Sequence, residues 1–217
     1  STDADDALKA YVAERGRDLR VVFLLMIIGL LFSNMDVVLF GLIADATATG
    51  VYGAASRFGM LINVVLLAGN AQMVPHLARV ASGDDSDQRS LAYLHRQVRV
   101  IRIAGTLLLL ATSAALPLYA WGIDIPISRL WPYFAIVASS FWLQGMLGPV
   151  NMFMMQAHEV DRLIAYHLVA IAVFATVFGV FYLTGTMLAV PLAVAAGANT
   201  VKVLAWIRIH RSRDLRL

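Results

Sequence analysis

The stretch from Phe32 to Asn70, FSNMDVVLFGLIADATATGVYGAASRFGMLINVVLLAGN, decides how the chain is read. It is an apolar segment carrying Ser33, Asn34 and Asp36, a short turn from Ala44 to Gly50, and a second apolar segment carrying Arg57, Asn63 and Asn70. Each segment has about the length that crosses ~30 Å of hydrocarbon at ~1.5 Å per residue, so the stretch predicts a transmembrane helical hairpin. A charged side chain midway along such a helix is costly unless it has a partner or a water-filled cavity. Asp36 and Arg57 are therefore the leading candidate site residues, with Ser33, Asn34, Asn63 and Asn70 beside them.

Working outward, the rest of the chain has the same character. Of 217 residues 60% are hydrophobic and only 14% charged, and mean hydropathy is +0.74, whereas a soluble domain carries roughly 25% charged residues. The apolar blocks are of helix length, not alternating strand length, so the expected class is all-α, a polytopic membrane bundle. Six spans are predicted, at about Val21–Leu42, Val51–Leu77, Ile103–Trp121, Trp131–Met155, Leu163–Leu183 and Met187–Ile207. Residues 1–20 read as a cytoplasmic amphipathic segment, 21–207 as the bundle, and 208–217 as a basic cytoplasmic tail. The polar opening, starting at Ser1 without a signal-peptide pattern, reads as part of a longer or processed polypeptide.

Within the second span Tyr52, Ser56, Gly59, Asn63 and Asn70 recur at helical intervals, a polar stripe expected to face a wet cavity. In the fourth span Pro132 near the start and Gly145, Gly148 and Pro149 past the middle predict a kink. Ala193 and Gly197 give the sixth span a small-residue face for close packing. The segment before span three places His95, Arg96, Arg99 and Arg102 around Leu94, Val98 and Ile101, a basic interfacial helix suited to anionic lipid head groups. Lipid explains these arginines better than nucleic acid does. The turn Gln156 to Arg162 only superficially resembles a zinc protease helix, because Arg162 stands where a second His would be needed, so no metal site is expected. Zero cysteines exclude thiolate ligands and disulfides.

Orientation follows from charge. Of seventeen Lys and Arg residues, fifteen fall in the N-terminal segment, the connection between spans two and three, the turn between four and five, and the C-terminal end. Arg129 alone lies on the opposite side, and Arg57 lies within a span. Such an excess places both termini in the cytoplasm and makes the number of spans even.

Asn34-Met35-Asp36-Val37-Val38-Leu39-Phe40-Gly41, then Gly50-Val51-Tyr52-Gly53-Ala54-Ala55-Ser56-Arg57 and Met73-Val74-Pro75-His76-Leu77, resemble the first hairpin of the C-terminal half of a polysaccharide flippase. Those proteins belong to the multidrug, oligosaccharidyl-lipid and polysaccharide exporter superfamily, with the MATE-like transporter fold. Asn151 and the polar turn near His158 before two final spans are similar to the end of the same half. The resemblance implies one six-helix lobe of a two-lobe alternating-access transporter in the plasma or bacterial inner membrane, the N-terminal lobe being a missing partner. It implies a lipid-linked sugar as substrate and a proton or sodium as coupling ion, with no cofactor.

Arg57, Asn63, Asn70, Gln72, Gln144 and Asn151 would suit an anionic sugar diphosphate, and Asp36 would centre ion coupling. A multidrug or metabolite exporter of the same superfamily, using a more apolar cavity, is the runner-up. An enzyme is disfavoured because the five histidines are scattered and the acidic clusters lie near the N-terminus and at Asp84 to Asp87; a membrane assembly subunit without transport is a third reading. With the first turn centred near residues 46 and 47, Asp36 and Arg57 lie at nearly equal sequence distance from it, which predicts that in at least one conformation they form a partly hydrated ion pair that opens when a proton, cation or substrate diphosphate competes for one member.

Overall fold

In the computed structural model the described residues are 36–81, 88–157 and 159–212, with Gly16, Phe23 and Ile27 as isolated positions. They form helices α1 (36–43), α2 (Ala46–Gly59), α3 (Leu61–Ala81), α4 (Gln88–Gly122), α5 (Ile127–Leu147), α6 (Val150–Gln156), α7 (Val160–Leu183) and α8 (Ala189–Ser212). Among the described residues there is no strand, as the composition predicts. Four stretches are long and apolar enough to cross a membrane, or five if bent α5 and α6 make one span. The first predicted span lies largely outside the described residues, as do the amphipathic segment 1–20 and the end of the tail.

The hairpin differs from expectation at its turn. Asp45 caps α2, its carboxylate accepting from the Ala48 N–H at 2.7 Å while the Thr49 hydroxyl donates back to the Asp45 carbonyl at 2.8 Å. Residues 46 to 50, expected in the turn, are therefore the first turns of a helix, and the connection shrinks to residues 44 and 45. A break at Met60 separates α2 from α3.

The predicted kink falls at Gly148-Pro149, where α5 and α6 meet at 47°. Gly148 has φ +79° and ψ −165°, a conformation that side-chain-bearing residues avoid, and Pro149 has no N–H to continue the ladder. The freed Met146 carbonyl is taken up by the Arg102 Nε at 2.9 Å, a cation at the negative end of α5. Pro132, five residues into α5, does not end that helix. The basic segment expected on the membrane surface and the third span form one unbroken helix, α4, 35 residues long.

α5 is the central element, packing against α2, α3, α4 and α8. Leu66, Leu94, Val98, Ile101, Phe153 and Leu163 build a core among α3, α4, α6 and α7. A second core joins α2, α3, α4 and α5 around Ala55, Ile62, Leu116 and Phe134. A third, around Phe40, Tyr52, Val137 and Val190, joins α1, α2, α5 and α8. Gly59 allows α2 to lie directly on α5: a Cβ there would stand 3.0 Å from Val137 Cγ1. Peripheral α7 packs chiefly on α8 and leaves Leu168, Val169 and Ile171 exposed, as suits a helix surrounded by lipid.

Candidate functional site

Asp36, the one buried acidic side chain among the described residues, begins the site. It is 5% exposed, and its carboxylate accepts from the Tyr52 hydroxyl at 2.7 Å and the Ser56 hydroxyl at 3.4 Å. Its other oxygen accepts the Val37 backbone N–H at 2.8 Å. Tyr52 is itself fixed by stacking on Phe40 at 4.6 Å between centroids and by edge contact with Tyr133 at 5.5 Å. A buried carboxylate needs donors of this kind, since an unpartnered one would cost several kcal/mol, about, in a hydrocarbon-like interior.

The Asp36–Arg57 ion pair, expected in at least one conformation, is not formed in this one. Arg57 is exposed, and among the described residues nothing joins its guanidinium to Asp36. Facing is the reason: Ser56, one residue before Arg57, reaches Asp36 at 3.4 Å, whereas Arg57, about 100° farther round α2, is exposed. The shortened turn, centred between residues 44 and 45, brings Tyr52 or Gly53 level with Asp36, one helical turn before Arg57. The two charged residues still share a groove of about 960 Å³ along α1 and α2, which Gly41, Gly53, Met60 and Tyr119 also line.

Asp36 also lines a smaller, half-open cavity of about 100 Å³, room for several waters. Asp36, Tyr52, Ser56, Ser140 and Gln144 supply its polar wall, and α8 supplies an apolar one through Pro191, Val194 and Ala195. The Ser140 hydroxyl accepts from Asn199 Nδ2 at 2.9 Å and, weakly, from Gln144 Nε2 at 3.5 Å. Asn199 Oδ1 is buried without a partner among the described residues. A polar seam thus crosses α1, α2, α5 and α8.

Of the predicted site residues, Asp36 and Gln144 meet at the cavity, and Asp36 and Arg57 at the groove. Asn63 and Asn70 are half-buried and line neither, because the break at Met60 interrupts the expected stripe: Tyr52, Ser56 and Gly59 turn onto α5. Asn151 stands on α6 beyond the kink, its Oδ1 also buried without a partner. Ser33 and Asn34 lie outside the described residues. Ser140 and Asn199 escaped the sequence reading. Their signal was faint: Ser140 precedes Gln144 by one helical turn, and Asn199 is the one amide of its span, beside Thr200 and Lys202.

A separate polar cluster ties the α6–α7 turn to α8. Glu159 pairs with Arg162 at 3.1 Å and Arg208 at 3.4 Å. Burial alone would raise the Glu159 carboxyl, but hydrogen bonds and charge from the two arginines outweigh it and hold the group below its usual range.

The fold and this site define a helical membrane protein with several membrane-length apolar helices. No family model, no curated protein and no solved structure matches the chain.

Proposed function

We propose that this chain is one six-helix lobe of a transporter that flips a lipid-linked polysaccharide precursor across the plasma or bacterial inner membrane by alternating access, with both termini cytoplasmic. One observation carries the reading: a buried carboxylate, Asp36, lines both a small, half-open cavity and a groove large enough for a sugar head group. Inside a membrane bundle such a group marks a substrate or ion pathway more often than a structural contact. Arg57 on the groove provides a forked donor for a phosphate, and a second, N-terminal lobe would supply the opposite wall.

A cation-coupled multidrug or metabolite exporter is the second reading, and the small cavity favours it. That cavity has one carboxylate, two hydroxyls besides the Tyr52 phenol, one amide and no basic side chain, a set suited to a proton or sodium and not to a diphosphate. The two readings are compatible if the ion occupies the cavity and the substrate the groove.

The test is transport by the full-length protein in proteoliposomes, with a fluorescent lipid-linked diphosphate sugar and with an organic cation. Arg57→Gln should raise the substrate concentration needed for half-maximal flipping, and Asp36→Asn should abolish stimulation by an imposed ion gradient. Folded variants that both flip at the wild-type rate would remove the flippase reading. Transport of the organic cation alone would leave the exporter.

A further inference from the structure

At about 1.5 Å per residue the 35 residues of α4 extend about 52 Å, some 20 Å more than the ~30 Å hydrocarbon layer. The surplus lies at its N-terminal end, where the arginines are. At about 100° per residue Arg89, Arg96, Arg99, Ile103, Leu107 and Leu110 fall on one face, and all six are exposed. Leu94, Val98, Ile101 and Leu116 occupy the opposite face and are buried. Arg102 stands apart from this face, committed to the Met146 carbonyl.

Along the exposed face the chemistry changes abruptly. Ile103, Leu107 and Leu110 are 55%, 61% and 61% exposed, an aliphatic strip suited only to lipid chains. Arg99 and Arg96 come four and seven residues earlier, about 6 and 10 Å farther along the axis, at the depth where head groups begin. Neither guanidinium has an ion pair or hydrogen bond to the described residues. Arg89 is about 21 Å from Ile103 and so beyond the head-group layer.

We propose that Arg96 and Arg99 bind the phosphate of an anionic phospholipid whose acyl chains lie along Ile103, Leu107 and Leu110. Forked guanidinium donors match a phosphodiester, and their aliphatic stems can follow the helix toward the interface. The occupant is a bilayer lipid and not the transported molecule, because Tyr119, the α4 residue lining the groove of Asp36 and Arg57, lies on the opposite face of the helix. The site does not depend on the transport reading.

The full chain, purified in detergent and titrated with phosphatidylglycerol or phosphatidylcholine, tests this by native mass spectrometry of retained lipid. The wild type should retain phosphatidylglycerol in preference to phosphatidylcholine. Arg96→Gln and Arg99→Gln should each weaken that retention about fivefold, and the double variant roughly thirtyfold, following the contribution of an arginine near an anionic surface. Arg89→Gln should stay within about twofold of wild type on the same ground. Full retention by both single variants, or a loss in Arg89→Gln as large as theirs, would overturn the site, so the test stands even if the double variant does not fold. Displacement of phosphatidylglycerol by a lipid-linked diphosphate sugar at lower concentration would overturn the assignment to a phospholipid.

Discussion

At the scale of residues, the fate of Asp36 turns on the cap at Asp45. Because Asp45 starts α2 early, Tyr52 comes level with the Asp36 carboxylate, Ser56 reaches it from one turn farther on, and Arg57 faces outward. Tyr52→Phe should then leave a buried carboxylate short of its shortest side-chain hydrogen bond while keeping the ring stack with Phe40. A destabilisation of about 1.5 to 3 kcal/mol is expected, the range for a hydrogen bond to a charged group. Chemical denaturation of the purified protein measures it, and an unchanged midpoint would show that water or Ser56 replaces the hydroxyl without cost. That Asp36 matters was legible from its charge within an apolar run. Its partner was not, because a two-residue error in the centre of a turn becomes a four-residue error on the returning helix. An Asp followed three and four residues on by backbone and hydroxyl partners was the available sign.

At the scale of elements, the Gly148-Pro149 break was legible because both residues fail the helix for local reasons, a conformation open to glycine and a missing N–H. What takes up the freed carbonyl was not legible, since Arg102 belongs to another helix 44 residues away. Beyond the break, Glu159 holds the α6–α7 turn to Arg208 of α8. Its folded carboxyl is held below the ordinary value, so the contribution to stability is complete above the unfolded value near about 4.3 and is lost as pH falls through the lowered folded value. The partly exposed geometry limits this to about 1 kcal/mol or less. Thermal unfolding from pH 7 to pH 3 should show wild type above Glu159→Gln at neutral pH, with the two converging in acid. Parallel curves across the range would show that the pair contributes nothing to folding.

At the scale of the whole molecule, connections far apart in sequence meet at one end of the bundle. Asp45 and Thr186, from the turns between α1 and α2 and between α7 and α8, and Ser128 and Arg129, in the first turn of α5 just after its connection to α4, line one cleft of about 390 Å³. Three loops far apart in sequence therefore share one end of the bundle. Single cysteines at Ala46, Asp124 and Gly185 should label from outside intact cells with an impermeant thiol reagent, and those at Arg89, Arg162 and Arg211 only after permeabilisation. Outside labelling at Arg89 with none at Ala46 would invert the orientation, and mixed labelling within either set would refute the arrangement of spans.

What the sequence determined alone is whatever depends on composition and local chain chemistry: a helical membrane protein, apolar blocks of spanning length, and a break at Gly148-Pro149. Hydrocarbon leaves no alternative to intrahelical hydrogen bonding for such blocks, so helices follow from apolarity and length. Tertiary structure decided what meets what: Tyr52 and not Arg57 on Asp36, Ser140 and Asn199 in one seam, Arg102 on α5, and Arg96 and Arg99 facing outward. These depend on the rotation and level of one helix against another. Side-chain packing across the interface sets both, and apolar periodicity read along a single helix does not specify them when lipid and protein interior are equally apolar.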